Sequence, residues 1–440
     1  MKAFIGYLNQ IAQNTERNFG EYNAQINWYH SYKSAYLEDR RQELFNSAGT
    51  ITEWKFANTK PYLNSLSKGC QLCGEGEWSC LFITGKCNAN CFYCPAPQIE
   101  DGAPQSQKLL FSDPEYYVEY INRFGFKGVS FSGGEPLLYF ERTLEFLKQV
   151  KQNCNSVIYI WMYTNGILAS DEKLKALGEA GLDEIRFDIG AVNYNPKILK
   201  NAAKYIANVT VEIPAVPHEK EQLLQVLPQL CEYGVTNINL HQLRLTKHNA
   251  SKLLVHNYTI LHGEQPTVAE SEITALEIMQ FVAHEKLPLG VNYCNFQFKN
   301  RFQKAGYRRK MATVFKHETE EITENGFYRT IEVIENDRSW FISLEQLAAI
   351  PLVFDKIKIC YMGRVIENLT GNTEGRSFNL MGQLYHIDEG LATEPIVLQG
   401  ENIQFYLEMM RDGGNNILLQ PQLFNAWRHE FVETEMRDFY

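Results

Sequence analysis

The sequence predicts an α/β fold of repeated parallel strand–helix units, and three observations point to it. Between residues 78 and 295 several short segments are rich in Val, Ile, Phe and Tyr and nearly free of charge, as strands covered on both faces should be. Amphipathic helices with start and stop signals separate them, at intervals of about 25–30 residues. Finally, 45% of the 440 residues are hydrophobic and 21% charged, which lets the chain bury a sizeable core.

The strands are read in order as "CLFITG", "GVSFSGG", "VIYIWMYTNG", "EIRFDIG", "VTVEIPAVP" and "NINLHQLRL", with a seventh, "LGVNYC", after them. Asp113, Pro114 and Gly125 mark the cap, first turn and end of one helix; others run from Ser170 to Gly181 and from Asn195–Pro196 onward. Thr267 and Glu270 suggest a capping box for another. Periodicity alone leaves an incomplete barrel and an open doubly wound sheet equally open. Residues 1–65 read as a helical N-terminal extension, 66–300 as the strand–helix unit, and 301–440 as a smaller β-rich domain with alternating strands and Gly/Asn turns.

A net charge of −10 argues against a broad phosphate-binding surface, so nucleic acid is not the expected partner. No run of about 18 apolar residues occurs, and the N-terminal apolar stretch is too brief and interrupted for a signal peptide. A cytoplasmic, membrane-free protein is therefore expected. In that compartment ten cysteines point to metal rather than disulfides.

The densest thiol group is "CNANCFYC", with Cys87, Cys91 and Cys94 in the loop leaving the first strand. Three thiolates hold three irons of a four-iron cluster and leave the fourth open. A structural zinc would call for a fourth ligand at pair spacing, and plain buried thiols are the other alternative. The second motif is "GGEP", Gly133, Gly134, Glu135 and Pro136, at the end of the second strand. Its glycines permit close backbone approach, and its acid can meet an ammonium group; alone it would read as an ordinary turn.

Together, "CNANCFYC" and "GGEP" in this strand order resemble the radical S-adenosylmethionine (SAM) superfamily. The resemblance covers roughly residues 78–295 and implies an α/β partial (β/α)6 barrel. It implies that Cys87, Cys91 and Cys94 bind a [4Fe–4S] cluster whose open iron is chelated by SAM. Tyr93 would meet the adenine, and Gly133 to Pro136 the methionine amine. Asn165, Arg186, Asp188 and Glu212, near the ends of the next strands, would add contacts to SAM. Reductive cleavage to a 5′-deoxyadenosyl radical and removal of hydrogen from a substrate would follow, with flavodoxin or ferredoxin as electron donor.

Other residues extend this expectation. Cys70 and Cys73 precede the first strand and suggest a second Fe–S or metal site, with Cys294 as a distant partner. Cys294 reads alternatively as a thiol beside the substrate, or as an inert core residue. His241 ends the sixth strand on the expected substrate side. The basic stretch "KNRFQKAGYRRK" fits a solvated helix face or a grip on an anionic substrate. The flanking domains favour a peptide or protein substrate over a small metabolite. A glycyl-radical activase and a non-catalytic Fe–S protein are the rival readings.

Overall fold

The computed structural model describes residues 2–48, 52–336, 338–350, 354–368, 376–413 and 423–432. These divide into two compact units, one built on Ile11–Asn300 and the other on Arg301–Glu435 with Met1–Gln10.

The first unit is organised by seven parallel strands: β1 (Trp78–Lys86), β2 (Gly128–Gly133), β3 (Tyr159–Thr164), β4 (Glu184–Phe187), β5 (Asn208–Pro214), β6 (Val235–His241) and β7 (Gly290–Cys294). Each lies beside its predecessor, so spatial order equals chain order. That settles the choice periodicity left open. A doubly wound sheet reverses direction at a switch point; this one never does. Right-handed crossovers that always advance the same way put the crossover helices on one face, and the sheet curls around the other into a partial barrel. The β-branched and aromatic side chains of the helix-facing rows, such as Val129, Ile160, Ile185, Val211 and Ile238, are fully buried. Each such burial is worth about 1.5–3 kcal/mol.

The crossover helices form where the caps predicted. In α4 (Pro114–Phe124), Asp113 accepts from the Glu115 amide and Gly125 closes the helix in the left-handed region. In α6 (Asp171–Glu179), the Ser170 hydroxyl accepts from the Lys173 amide. The capping box at Thr267 does not form. Thr267 and Val268 make a short strand, and Val268 precedes α9 (Ala269–His284). The Glu270 carboxylate instead accepts from the Thr259 amide at 3.0 Å, because that strand lies within its reach.

Upstream of residue 66 the chain is helical only in part. The helices α1 (Lys2–Phe19) and α2 (Ala35–Ala48) are separated by Asn27–Trp28, which pairs in parallel with Thr259–Ile260. A hairpin, Glu53–Lys55 with Lys60–Leu63, then joins β7 antiparallel, with Leu63 opposite Val291 and Tyr62 opposite Asn292. Next comes α3 (Lys68–Glu75), capped by Ser67, which enters the curl of the sheet. A Cβ on Gly69 would stand 2.4 Å from the Arg186 guanidinium and 3.1 Å from Trp161. This helix plugs the concave side of the barrel.

The second unit is β-rich. Strands β8 (Tyr328–Glu335), β9 (Arg338–Ile342), β10 (Lys356–Asn368), β11 (Ser377–Leu380), β12 (Gln383–Leu391) and β13 (Ile396–Gln399) form an antiparallel sheet around the long β10. Tyr361, Tyr406 and Arg329 converge on the buried Glu430 carboxylate at 2.7, 3.0 and 2.6 Å. A buried carboxylate is tolerated there because charge and hydrogen bonds satisfy it together.

A candidate cofactor and substrate site at the barrel mouth

A cavity of about 220 Å³ opens at the C-terminal edge of the parallel strands, where such folds place their chemistry. Cys87, Cys91 and Cys94 line it, together with Tyr93, Gly133, Gly134, Asn165, Arg186, Asp188 and Glu212. Residues from five different strand ends therefore meet around one space. Ser132, Gln98 and Tyr163 line it as well, beyond the residues taken as site candidates.

The thiol loop is shaped by its own backbone. The Cys87 sulfur accepts from the Ala89 amide at 3.4 Å and from the Asn165 side-chain amide at 3.6 Å. Burial pushes Cys91 up to about 12 and also raises Cys94, so both are protonated until a cation compensates them. Among the described residues, no three or more His, Cys, Asp or Glu are placed to hold a metal ion. The triad stands around a cavity wall instead, a donor set suited to a polynuclear group filling the space.

Gly133 and Gly134 are required by β1. A Cβ on Gly133 would meet the Thr84 carbonyl at 2.1 Å, and one on Gly134 the Lys86 carbonyl at 2.0 Å. Gly133 also has a φ of +111°. The expected close approach is thus to the neighbouring strand, and it leaves the backbone of both residues facing the cavity. Glu135 points away from the cavity. It is fully buried and accepts from Asn165 N at 2.7 Å, Thr164 Oγ1 at 2.8 Å and Leu137 N at 3.0 Å. Burial raises its carboxyl even against these donors. Pro136 is buried beside it.

Tyr93 is held by Asp188, its hydroxyl donating at 2.7 Å. Burial pushes Asp188 up to about 6. Gly190 makes the approach possible, since a Cβ there would stand 2.4 Å from the Tyr93 oxygen. Asn249 donates to the Tyr93 carbonyl at 3.1 Å and ties the thiol loop to the segment after β6. Sequence reading missed Gly190 and Asn249; both serve Tyr93 across long sequence separations.

Deeper in the barrel, Arg186 pairs with Glu212 at 2.7 Å and Glu184 at 2.9 Å and donates to Ser67 at 3.0 Å. Burial opposes ionisation of Glu212, but Arg186 and His241 hold its carboxyl well below the usual carboxylate range. His241 hydrogen-bonds Glu212 through Nε2 and Lys299 through Nδ1 at 2.9 Å. Burial, and then Lys299, push the His241 imidazolium down, so the ring is neutral near pH 7.

Cys294 is opposite His241 in the strand register and is buried. Cys70 and Cys73 lie on the helix α3. The plug carries Cys70 inward, 3.6 Å from Arg186 Nη1. Burial raises both thiols, and Cys73 is within electrostatic range of Cys70 and Cys294.

Residues 81–243 match the family model described as the radical SAM superfamily. One relative, a Methanocaldococcus jannaschii protein provisionally named a glycyl-radical enzyme activating enzyme, is 28% identical over 362 residues, 78% of this chain and 95% of that protein. A GTP 3′,8-cyclase of Aquifex aeolicus is 35% identical over 112 residues, and the chain spans only 34% of its length. Among solved structures, the [FeFe]-hydrogenase maturase HydG aligns with 70% of this chain and 74% of its own, at 13% identity and a TM-score of 0.35. The matched segment begins inside β1, takes in the whole thiol loop and ends just past β6. Residues 81–243 of this chain thus make up a radical SAM domain.

Proposed function

We propose that this chain cleaves SAM reductively and uses the resulting radical to take hydrogen from a peptide or protein substrate. The match of residues 81–243 to the radical SAM superfamily implies a [4Fe–4S] cluster and SAM. The observation that carries the site assignment is one cavity lined by all three triad thiols, the Gly133–Gly134 backbone and the Asp188-anchored Tyr93. When bound, the cluster and SAM supply a 5′-deoxyadenosyl radical. The protein's part is to hold the co-substrate, orient the substrate and exclude water.

In this reading Cys87, Cys91 and Cys94 are the cluster ligands. Tyr93, Asn165, Arg186, Asp188 and Glu212 shape the SAM side, with Gly133 and Gly134 offering backbone groups. Glu135 and Pro136 position the third strand end rather than touch SAM. Cys294 and His241 stand on the substrate side, with neutral His241 able to accept a proton. A second metal site at Cys70, Cys73 and Cys294 is a separate proposal, resting on their shared electrostatic neighbourhood. Flavodoxin or ferredoxin is the expected electron donor.

The M. jannaschii relative favours a more specific reading, in which the substrate is a backbone glycine of a partner enzyme. That relative aligns over 362 residues, 78% of this chain.

The test is anaerobic reconstitution, followed by SAM and dithionite and mass spectrometry for 5′-deoxyadenosine. The expected result is about four irons per chain for one cluster, nucleoside release, and a paramagnetic signal altered by SAM. Cys91→Ala should abolish all three. Nucleoside release that survives in Cys91→Ala would overturn the assignment.

A further inference from the structure

The basic stretch after the barrel is not one surface. Arg308 donates to Asn325 and Arg309 to the Glu324 carbonyl within the second unit. Lys299 belongs to the first unit and turns to His241. Its ammonium also lies 4.7 Å from the centre of the Phe296 ring. The Arg244 guanidinium lies over the same ring, at 5.8 Å. Neither has a carboxylate within ion-pair distance among the described residues. Arg244 Nε is buried with no hydrogen-bond acceptor. Burial alone lowers Arg244, with no acidic group to offset it.

A third cation stands close by. Lys60 is 1% exposed and faces the same side of the sheet as Cys294, following the register of the hairpin on β7. Its ammonium lies 4.3 Å from the Phe298 ring centre and has no carboxylate ion pair among the described residues. Burial opposes its charge, but the Cys294, Cys70 and Cys73 thiols and Glu212 lie close enough to raise the Lys60 ammonium overall. The neighbouring interior is also unsatisfied. Asn292 is fully buried with both amide atoms unpartnered, and Asn239, opposite it in the register, has an unpartnered Oδ1.

This group adjoins the SAM cavity on two sides. Glu212 lines that cavity and bonds His241, which bonds Lys299. On the other side, the Asn249 amide donates both to the Arg244 carbonyl and to the Tyr93 carbonyl.

We infer that Arg244 and Lys299, flanking Phe296 beside His241, form a subsite for an oxyanionic group of the substrate, a carboxylate or a phosphate. The inference rests on the SAM-site reading for its place in the reaction, though not for the binding itself. A planar guanidinium and an ammonium on one aromatic ring supply a fork and a point charge. The deeper Lys60 adds long-range attraction. Anchoring an anion here would fix the rest of the substrate against the mouth of the SAM cavity.

The experiment is calorimetric titration of the reconstituted full chain with inorganic phosphate and, separately, with succinate. At least one should bind saturably; phosphate alone identifies a phosphorylated substrate, succinate alone a carboxylate-bearing one. Arg244→Gln and Lys299→Gln should each weaken binding at least tenfold, and Arg244→Lys should restore part of it. Lys175→Gln, on an exposed helix face, should change nothing. SAM-induced changes in the cluster's paramagnetic signal should persist in Arg244→Gln, which shows that the variant is folded. If neither anion binds, or if both substitutions leave binding unchanged, the subsite is refuted. Anion binding without any response to SAM would instead refute the SAM-site reading and leave the subsite standing.

Discussion

At the scale of single residues, the site depends on contacts that exclude even a methyl group. Gly190 is the sharpest case, because the Tyr93 hydroxyl fills the space where its Cβ would be. Gly190→Ala should push Tyr93 off Asp188 and weaken SAM binding on the order of tenfold, about 1.4 kcal/mol. Calorimetry on reconstituted protein checks this, with Gly102→Ala as a control, since nothing lies within 4 Å of that position. The triad, Tyr93 and the paired glycines were legible in sequence because their spacing is local. The roles of Glu135 and Gly190 were not. Each depends on a partner strand brought close only by the fold: Glu135 on Thr164 and Asn165, Gly190 on Tyr93. An acidic residue next to two glycines looks like a ligand in sequence, whereas its surroundings make it an internal clasp.

At the scale of elements, the seven strands could be read because buried parallel strands are continuous apolar runs. The choice between barrel and doubly wound sheet could not, since both share the same local pattern and differ only in strand order. Nor was α3 legible as a plug. In "SKGCQLCGE" the two cysteines drew the reading towards a metal site, while Ser67 in fact caps a helix there. Gly69 lets that helix reach Arg186, whose guanidinium is fixed by Glu184, Glu212 and Ser67 and cannot move aside. Alanine would gain about 1 kcal/mol of helix propensity at this position. The clash should outweigh it, so Gly69→Ala should destabilise the protein by about 1–3 kcal/mol in urea unfolding.

For the molecule as a whole, pH should act on the second unit as well as on the site. Burial opposes ionisation of Glu320, but the fork of Arg364 holds its carboxyl below the ordinary carboxylate value. A depressed acid contributes stability that is present above its unfolded pKa and lost as pH falls through the folded value. Hydrogen exchange along β10 should therefore speed up as pH is lowered from 5 towards and below that value, after correction for intrinsic rates. Glu320→Gln should flatten the dependence and cost about 3 kcal/mol near pH 7, because Arg364 loses its main partner.

The hairpin on β7 has a counterpart at the other end of the sheet, where Gln105–Ser106 and Leu109–Leu110 fold antiparallel beside β1. Seven parallel strands that never close would otherwise offer two long unpaired ladders to any passing polypeptide. Here the outermost strands are three and two residues long. One of them also presents exposed Glu53 and Lys55. An unclosed barrel finished this way should resist templated growth into fibrils, even with its mouth left open for a reactant to enter.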